Sequence, residues 1–141
     1  MGFLNIKTFL GVLFTCVFLS SISYAQPPGR MFNPQTVETV SGEVVKVERI
    51  SHGGWMGHGL HLILKTSEGE TSIHLGPARY RSQQGLTVAQ NDNLKVTGSK
   101  VTQNNQTFII ASKVEKEGKT FVLRDEYGIP MWSGRYQQPL K

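Results

Sequence analysis

The chain has 141 residues, of which 38% are hydrophobic and 18% are charged, and a formal net charge of +5. This length fits one domain with a modest hydrophobic core. The single cysteine, Cys16, excludes an internal disulfide and a zinc or iron–sulfur site built from several cysteines. The basic residues are scattered along the sequence, which favours a mixed solvated surface over a dedicated face for polyanions.

Residues 1–25 have the pattern of a secretory signal peptide. An apolar run, Phe9–Leu19, is followed by the small residues of Ser23-Tyr24-Ala25. The pattern predicts cleavage after Ala25 and a periplasmic or secreted mature protein that has no membrane insertion and no cysteine. A transmembrane anchor is the alternative, but the run is shorter than the ~20 residues that a membrane helix needs. Lipidation of the single cysteine is a weaker alternative.

The remainder divides into a lead-in, one domain and a tail. Residues 26–35 contain three prolines and one glycine, which predicts an extended and flexible lead-in. The ordered domain is expected over 36–132. Residues 133–141 form a short C-terminal tail that is expected to follow the surface.

Three strands are expected before the first helix. The β-branched residues of Val37–Val47 predict the first strand, with Gly42 as a bulge or bend point. Leu60–Thr66 alternates between apolar and polar residues and predicts the second strand. The segment Ser67–Glu70 predicts a turn, after which residues 71–75 return as the third strand.

The predicted hairpin has a register that can be checked. If Thr66 faces Thr71 across the turn, leucine and isoleucine side chains form one continuous apolar face. The same register places His61 diagonal to His74 on the opposite, outer face, where diagonal neighbours lie ~7–8 Å apart. The two imidazoles are therefore expected to project together.

The second half of the domain contains a helix and further strands. Pro77 suits the first position of a short helix over 77–84, and Gly85 suits its end. Strands are expected over 94–101 and 107–114. A further extended piece is expected over 121–123.

This order predicts an all-β fold, a five-stranded OB-fold-like Greek-key barrel with one short helix between strands 3 and 4. A β-sandwich is the alternative. In a barrel of this kind the loops over 51–59 and 102–107 flank the usual binding face. The first of these loops contains histidine, tryptophan and methionine, so it is the expected place for a ligand.

All four histidines lie between positions 52 and 74, beside other ligand-binding residue types. The candidate ligand-binding residues are Trp55, His58, His61, His74, Arg79 and Tyr80. Imidazole binds several transition metals and a thioether favours copper(I), so a transition-metal ion is a candidate cofactor. Its candidate ligands are His61, His74, His58 and Met56. Alternatively, the histidines pack against neighbouring side chains or stand exposed, because their spacing matches no recognised metal motif.

Trp55 allows two interpretations. An exposed aromatic residue on an OB-fold can stack on a nucleic-acid base, and Arg79 and Tyr80 could add charge and a second ring. Alternatively, Trp55 folds over the end of the barrel as a plug. The predicted export disfavours nucleic acid as the natural partner.

Four segments together carry a family resemblance: Gly59-Leu60-His61-Leu62, His74-Leu75-Gly76-Pro77, Asn91–Ser99 and Leu123–Trp132. They resemble the small exported domain of the MamS/MamX magnetosome proteins, over about residues 37–132. The resemblance implies an OB-like barrel outside the cytoplasm and, in magnetosomes, a part in iron-mineral maturation. MamX-type proteins also carry Cys-x-x-Cys-His haem-attachment motifs. This chain has none, so covalent haem is not expected.

No catalytic constellation can be assembled from the sequence, since it offers no recognisable nucleophile and no paired carboxylates. The expected function is therefore a small exported, non-enzymatic OB-fold binding module. Its partner is expected to be another exported or membrane protein, which the segment Gly128–Trp132 could contact if it does not pack on its own barrel. The alternatives are a periplasmic metal-handling accessory protein that uses His61 and His74, and a module that binds oligonucleotides or polyanions.

Overall fold

The computed structural model describes residues 31–51 and 58–133. The predicted signal peptide, the first part of the lead-in, the tail from 134 onward, and His52, Trp55 and Met56 lie outside the described residues. Within the described ranges, no helix is long and apolar enough to span a membrane.

The described residues form six strands, one α-helix and one 3-10 helix. The strands are β1 Val37–Ser51, β2 His58–Thr66, β3 Gly69–Pro77, β4 Asn93–Gln103, β5 Gln106–Lys116 and β6 Lys119–Val122. The helix α1 is Ala78–Gln83, and the 3-10 helix is Pro34–Thr36.

The strands close into a barrel. Their order is β3-β2-β1-β4-β5-β6, and a parallel pairing of β3 with β5 closes the ring. The first five strands and the helix between β3 and β4 have the OB-fold arrangement. The predicted fold class is therefore confirmed. The extended piece that was expected after the fifth strand is a sixth strand, β6, which pairs with the second half of β5.

β1 bends where it changes partners. Its first half pairs with β4 and its second half pairs with β2, and Glu43 is paired on both sides. The preceding residue, Gly42, packs closely on β2, since an added Cβ would lie 2.1 Å from the Lys65 carbonyl oxygen. The predicted bend at Gly42 thus coincides with a close backbone approach. The bulge itself falls between Val44 and Lys46.

The β2–β3 register differs from the predicted one by two residues. Thr66 faces Gly69 rather than Thr71, because the turn is tighter than the predicted four-residue turn. Its side-chain hydroxyl donates a 2.8 Å hydrogen bond to the Gly69 carbonyl oxygen. A shift of two residues leaves every side chain on its predicted face. It also brings His61 directly opposite His74 rather than diagonal to it.

A second irregularity in strand pairing lies near the end of β3. Leu60 pairs with Gly76 whereas His61 pairs with His74, so Leu75 is an extra residue. Gly76 has φ of +104°, and an added Cβ would lie 2.5 Å from the Trp132 ring. Only glycine meets both conditions without strain.

Alternating residues of the strands fill the barrel interior. The buried members include Leu60, Leu62, Leu64, Ile73, Val96, Ile109 and Val114. Burying an aliphatic side chain of this size stabilises a fold by about 1.5–3 kcal/mol. This interior is the main source of stability, and it leaves the outer face of the barrel free for polar and aromatic side chains.

A smaller cluster lies outside the barrel. Val101, Phe108 and Ile110 are buried there beneath Met31 and Phe32. The same N-terminal segment is held by Asn33, whose backbone N–H donates a 2.9 Å hydrogen bond to the Ser99 hydroxyl. The end of the predicted lead-in therefore packs on the barrel, a feature that its composition did not indicate.

The C-terminal segment also packs on the barrel. Arg124 forms an isolated bridge with Pro130, and the Asp125 side chain accepts hydrogen bonds from two later backbone N–H groups. Trp132 lies 5.3 Å from the Tyr80 ring and 4.8 Å from the Arg124 guanidinium carbon. Of the two interpretations of this segment, the structure therefore shows the tryptophan half-buried on its own barrel.

Candidate functional site

One row of side chains crosses the outer face of the barrel. Glu48 on β1 pairs with His61 on β2, which pairs with His74 on β3. Directly paired residues share a face of the sheet, so all three side chains project outward. The parallel β3–β5 pairing then places Phe108 beside His74.

Three rings of this row are stacked. The centroids of His61 and His74 lie 3.6 Å apart with an interplanar angle of 11°. His74 and Phe108 follow at 4.1 Å and 10°. The result is a column of rings packed face to face across β2, β3 and β5, which we call the ring stack (His61, His74 and Phe108).

An open groove lies over the ring stack. Its volume is about 620 Å³, and the lining residues besides the ring stack are Glu48, Ile50, Ile63, Ser72, Gln103, Asn104, Gln106 and Thr107. Two isoleucines make part of its wall apolar. The β4–β5 hairpin contributes an edge of amide and hydroxyl groups. The groove therefore combines the edges of stacked rings with neutral hydrogen-bonding groups.

Charge in this groove is small and balanced. Glu48 forms an ion pair with Lys46, in which Oε1 of Glu48 lies 2.6 Å from Nζ of Lys46, and both side chains are exposed to solvent. The hydrogen bond from Lys46 holds the pKa of Glu48 below its usual value, with smaller contributions from the charges of Lys46 and His61. Glu48 is therefore an anionic group at the groove at neutral pH.

The stacked arrangement bears on the predicted metal site. A metal ion bound by an imidazole lies near the ring plane, about 2.0–2.1 Å from the nitrogen in the case of zinc. Two nearly parallel planes 3.6 Å apart do not meet near the rings, so one ion cannot be in the plane of both. Chelation by His61 and His74 would require at least one ring to leave the stack. Among residues 31–51 and 58–133, no group of three or more His, Cys, Asp or Glu residues is arranged to hold a metal ion.

His58 does not join His61 and His74 in the groove. It lies in β2, opposite Ser51, and is exposed. Its odd spacing from His61 directs it to the other face of the strand, toward the end of the barrel. The predicted set of four metal ligands is thus divided, and Met56 lies outside the described residues.

Arg79 and Tyr80 are also away from the groove. Arg79 is exposed on α1. Tyr80 packs against the core, where burial raises the pKa of its hydroxyl and a hydrogen bond donated by Gln84 acts in the opposite direction. Of the six predicted ligand-binding residues, the structure brings His61 and His74 together at the groove. Trp55 lies outside the described residues.

Sequence reasoning missed Phe108 and Glu48 as parts of this site. Phe108 directly follows the predicted 102–107 loop. It is next to Ile109, which faces the core, and alternation along the strand therefore indicates that Phe108 faces outward. Its contact with His74 depends on the β3–β5 closure, which pairs residues 36 positions apart, such as Ser72 and Phe108. The β1–β2 register places Glu48 opposite His61. The sequence predicted no tight turn between these two strands, so their register could not be inferred from it.

Fold and site together define a closed OB-fold-like barrel with a ring-lined groove on its outer face. The match to a known family extends over most of this barrel. The sequence pattern of the MamS/MamX magnetosome protein family matches residues 36–121. The chain belongs to this family, as the resemblance in the sequence predicted.

Among curated proteins, none matches this chain. Among solved structures, a similar one is the N-terminal domain of PriB protein from Thermoanaerobacter tencongensis, described as dimeric, with 18% identity and a TM-score of 0.44. The alignment covers 60% of this chain and 99% of that chain. The fold assignment rests on the strand pairings and not on this similarity.

Proposed function

We propose that the protein is a small exported, non-enzymatic binding module, and that its groove receives an extended segment of another exported or membrane protein. The ring stack at the base of the groove is the observation that carries the proposal. The edges of the stacked rings present C–H and N–H groups, against which the face of a partner's proline or aromatic side chain can pack.

The edge of the groove supports a polypeptide as the occupant. Gln103, Asn104 and Gln106 line it with side-chain amides, which can both donate hydrogen bonds to and accept them from peptide groups. A polyanion would instead require lysine and arginine at its phosphates. The charged side chain that lines this groove is Glu48, which would repel a polyanion.

The carboxylates of the chain support a non-catalytic role. Asp92 accepts a 2.8 Å hydrogen bond from the Ala89 backbone N–H, and Asp125 accepts bonds from the backbone of its own turn. Glu48 is paired with Lys46. These are positions at which a carboxylate stabilises local structure.

Export is the part of the proposal that rests on residues 1–25. Fractionation of cells that express the full chain, followed by mass measurement of the purified protein, tests it directly. The expected product is periplasmic or secreted and begins at Gln26. A full-length protein in the cytoplasmic fraction would contradict export.

Peptide selection tests the groove. Peptides selected from a random library against the immobilised mature protein are expected to be enriched in proline or aromatic residues. Ser72→Arg fills the groove wall, whereas Thr120→Arg adds the same side chain on β6, away from the groove. We expect Ser72→Arg to weaken peptide binding at least tenfold, about 1.4 kcal/mol, and Thr120→Arg to leave it unchanged. Equal binding by both variants, or no enrichment, would refute the groove as the binding site.

The direct pairing of His61 with His74 favours metal handling as the second candidate function. It requires the rings to rotate out of the stack. Calorimetry with copper(II) and zinc(II) on the mature protein and on His61→Ala tests it. Binding that is lost in the variant and weakens below about pH 6.5 would support a metal site, because protonated imidazole cannot ligate. The absence of heat in both titrations would eliminate it.

A further inference from the structure

A second cluster of polar groups lies at the end of the barrel where β1 ends and β2 and α1 begin. Arg49 pairs with Leu60, whose side chain is in the core, so Arg49 shares the inner face at that end. Ser51 and His58 form the next inward-facing pair beyond it. Arg81 reaches the same place from α1. We call these four residues the barrel mouth.

Arg81 is a buried cation whose hydrogen bonding is incomplete. Its side chain is 8% exposed, and its Nη1 donates a 3.2 Å hydrogen bond to the Leu86 carbonyl oxygen. Its Nε is buried and has no hydrogen-bond partner. Burial lowers the pKa of Arg81, and the positive charge of nearby Arg49 lowers it further. The exposed Arg49 thus places a second positive charge near the buried guanidinium of Arg81.

The charge of the other buried arginine, Arg124, lies against an aromatic ring. Arg124 donates a hydrogen bond from Nη1 to the Ala111 carbonyl oxygen, and its Nε, like that of Arg81, is buried without a hydrogen-bond partner. Unlike Arg81, it has the Trp132 ring over its guanidinium group. Burial lowers its pKa to about 10. A cation over an aromatic face is partly stabilised. No ring contact or cation–π contact of this kind is found for Arg81 among the described residues.

No side-chain carboxylate in residues 31–51 and 58–133 forms an ion pair with Arg49 or Arg81. The ten acidic residues of the chain all lie between Glu38 and Glu126, within the described ranges. Neither the Lys46–Glu48 nor the Lys116–Asp92 ion pair involves an arginine. The segment from Ser51 to His58 contains no acidic residue either. Within the described part of the chain, no side-chain carboxylate thus compensates the charge of the two arginines.

We propose that the barrel mouth binds an oxyanion, a carboxylate or a phosphate group, between Arg49 and Arg81. A buried charge without a counter-ion is costly, and an anion beside it recovers much of that cost. Arg49 is exposed and can present its guanidinium fork to the ligand, a geometry that matches carboxylate and phosphate oxygens. The Ser51 hydroxyl and the His58 ring supply further hydrogen-bond donors. This site is separate from the groove, and neither depends on the other.

Calorimetric titration of the mature protein with inorganic phosphate and with succinate tests the proposal, at constant ionic strength maintained with chloride. The two ligands distinguish a phosphate-bearing source from a carboxylate-bearing one. Binding of either at a fixed stoichiometry is the expected result. Chloride is the reference for nonspecific screening, which acts on all exposed charges alike.

Matched arginine variants locate the site. Arg49→Gln is expected to weaken binding of the anion at least tenfold. Arg79→Gln removes another exposed arginine, which lies on α1 outside the barrel mouth, and is expected to leave binding unchanged. Arg81→Lys keeps the buried charge but loses the fork, and is expected to weaken binding if it folds as judged by circular dichroism. The proposal is overturned if neither anion binds, or if Arg49→Gln and Arg79→Gln weaken binding equally.

Discussion

Gly76→Ala probes the junction where β3, α1 and the C-terminal segment meet. Gly76 has φ of +104°, and an added Cβ would lie 2.5 Å from Cη2 of Trp132. The indole is held between Tyr80 and Arg124, so it cannot withdraw without losing these contacts. The substitution therefore adds a steric cost to a conformational cost.

Gly85→Ala isolates the conformational cost. Gly85 has φ of +78°, and an added Cβ would meet nothing within 4 Å. An alanine with positive φ costs about 1–2 kcal/mol, partly offset by reduced freedom of the unfolded chain. Overpacking adds about 1–3 kcal/mol. We expect Gly85→Ala to lower the free energy of unfolding by about 1 kcal/mol, and Gly76→Ala to lower it by about 2–4 kcal/mol.

Urea unfolding followed by circular dichroism measures both variants, with the slope m checked for constancy. The double variant Gly76→Ala, Trp132→Leu should recover part of the steric cost, since the clashing atoms are gone. Equal losses for the two glycine variants, within about 0.5 kcal/mol, would refute the packing of Trp132 on Gly76. So would the absence of coupling in the double variant.

Three further predictions concern the barrel itself. Leu64→Ala should lower the free energy of unfolding by about 2–5 kcal/mol in urea titrations, because the side chain is fully buried. The pKa of Asp92 is lowered, first by the Ala89 N–H and then by Lys116, so its stabilisation is present above the pKa of the unfolded chain and lost as pH falls through the folded value. Asp92→Asn should thus cost about 1 kcal/mol at pH 7, and in a pH series the difference should shrink as pH falls through the lowered pKa of Asp92. Asn105→Val should cost about 1–2 kcal/mol and Asn105→Gly little, because this turn residue has φ of +62°.

The barrel could be predicted from the sequence because its signals are local. Alternation in Leu60–Thr66 indicated a strand, and glycine and asparagine indicated the turns. The predicted register of the β2–β3 hairpin was wrong, yet the inward and outward faces were correct. The error was two residues, which is the side-chain period of a strand, so Leu62 and Leu64 remained inside.

The site could be predicted only in part, because some of its contacts form only when β3 pairs with β5 and closes the barrel. His61 and His74 belong to one hairpin, and their meeting follows from local pairing. Phe108 reaches His74 through the parallel contact of β3 with β5, which no turn signal specifies. The burial of Arg81 is equally non-local, since a six-residue helix has too little periodicity to show which of its residues faces the barrel.

The spacing of the histidines explains why the described part of the protein has two candidate sites rather than one. His58 and His61 lie three residues apart on one strand, and an odd spacing sends their side chains to opposite faces. A closed barrel separates those faces completely. His61 therefore contributes to a neutral, ring-lined groove, whereas His58 stands with Arg49 and Arg81 at a cationic end. A histidine cluster in sequence is thus not a cluster in space. The two regions differ in charge and in lining, so we expect them to recognise chemically different ligands, a flat uncharged segment at one and an anion at the other.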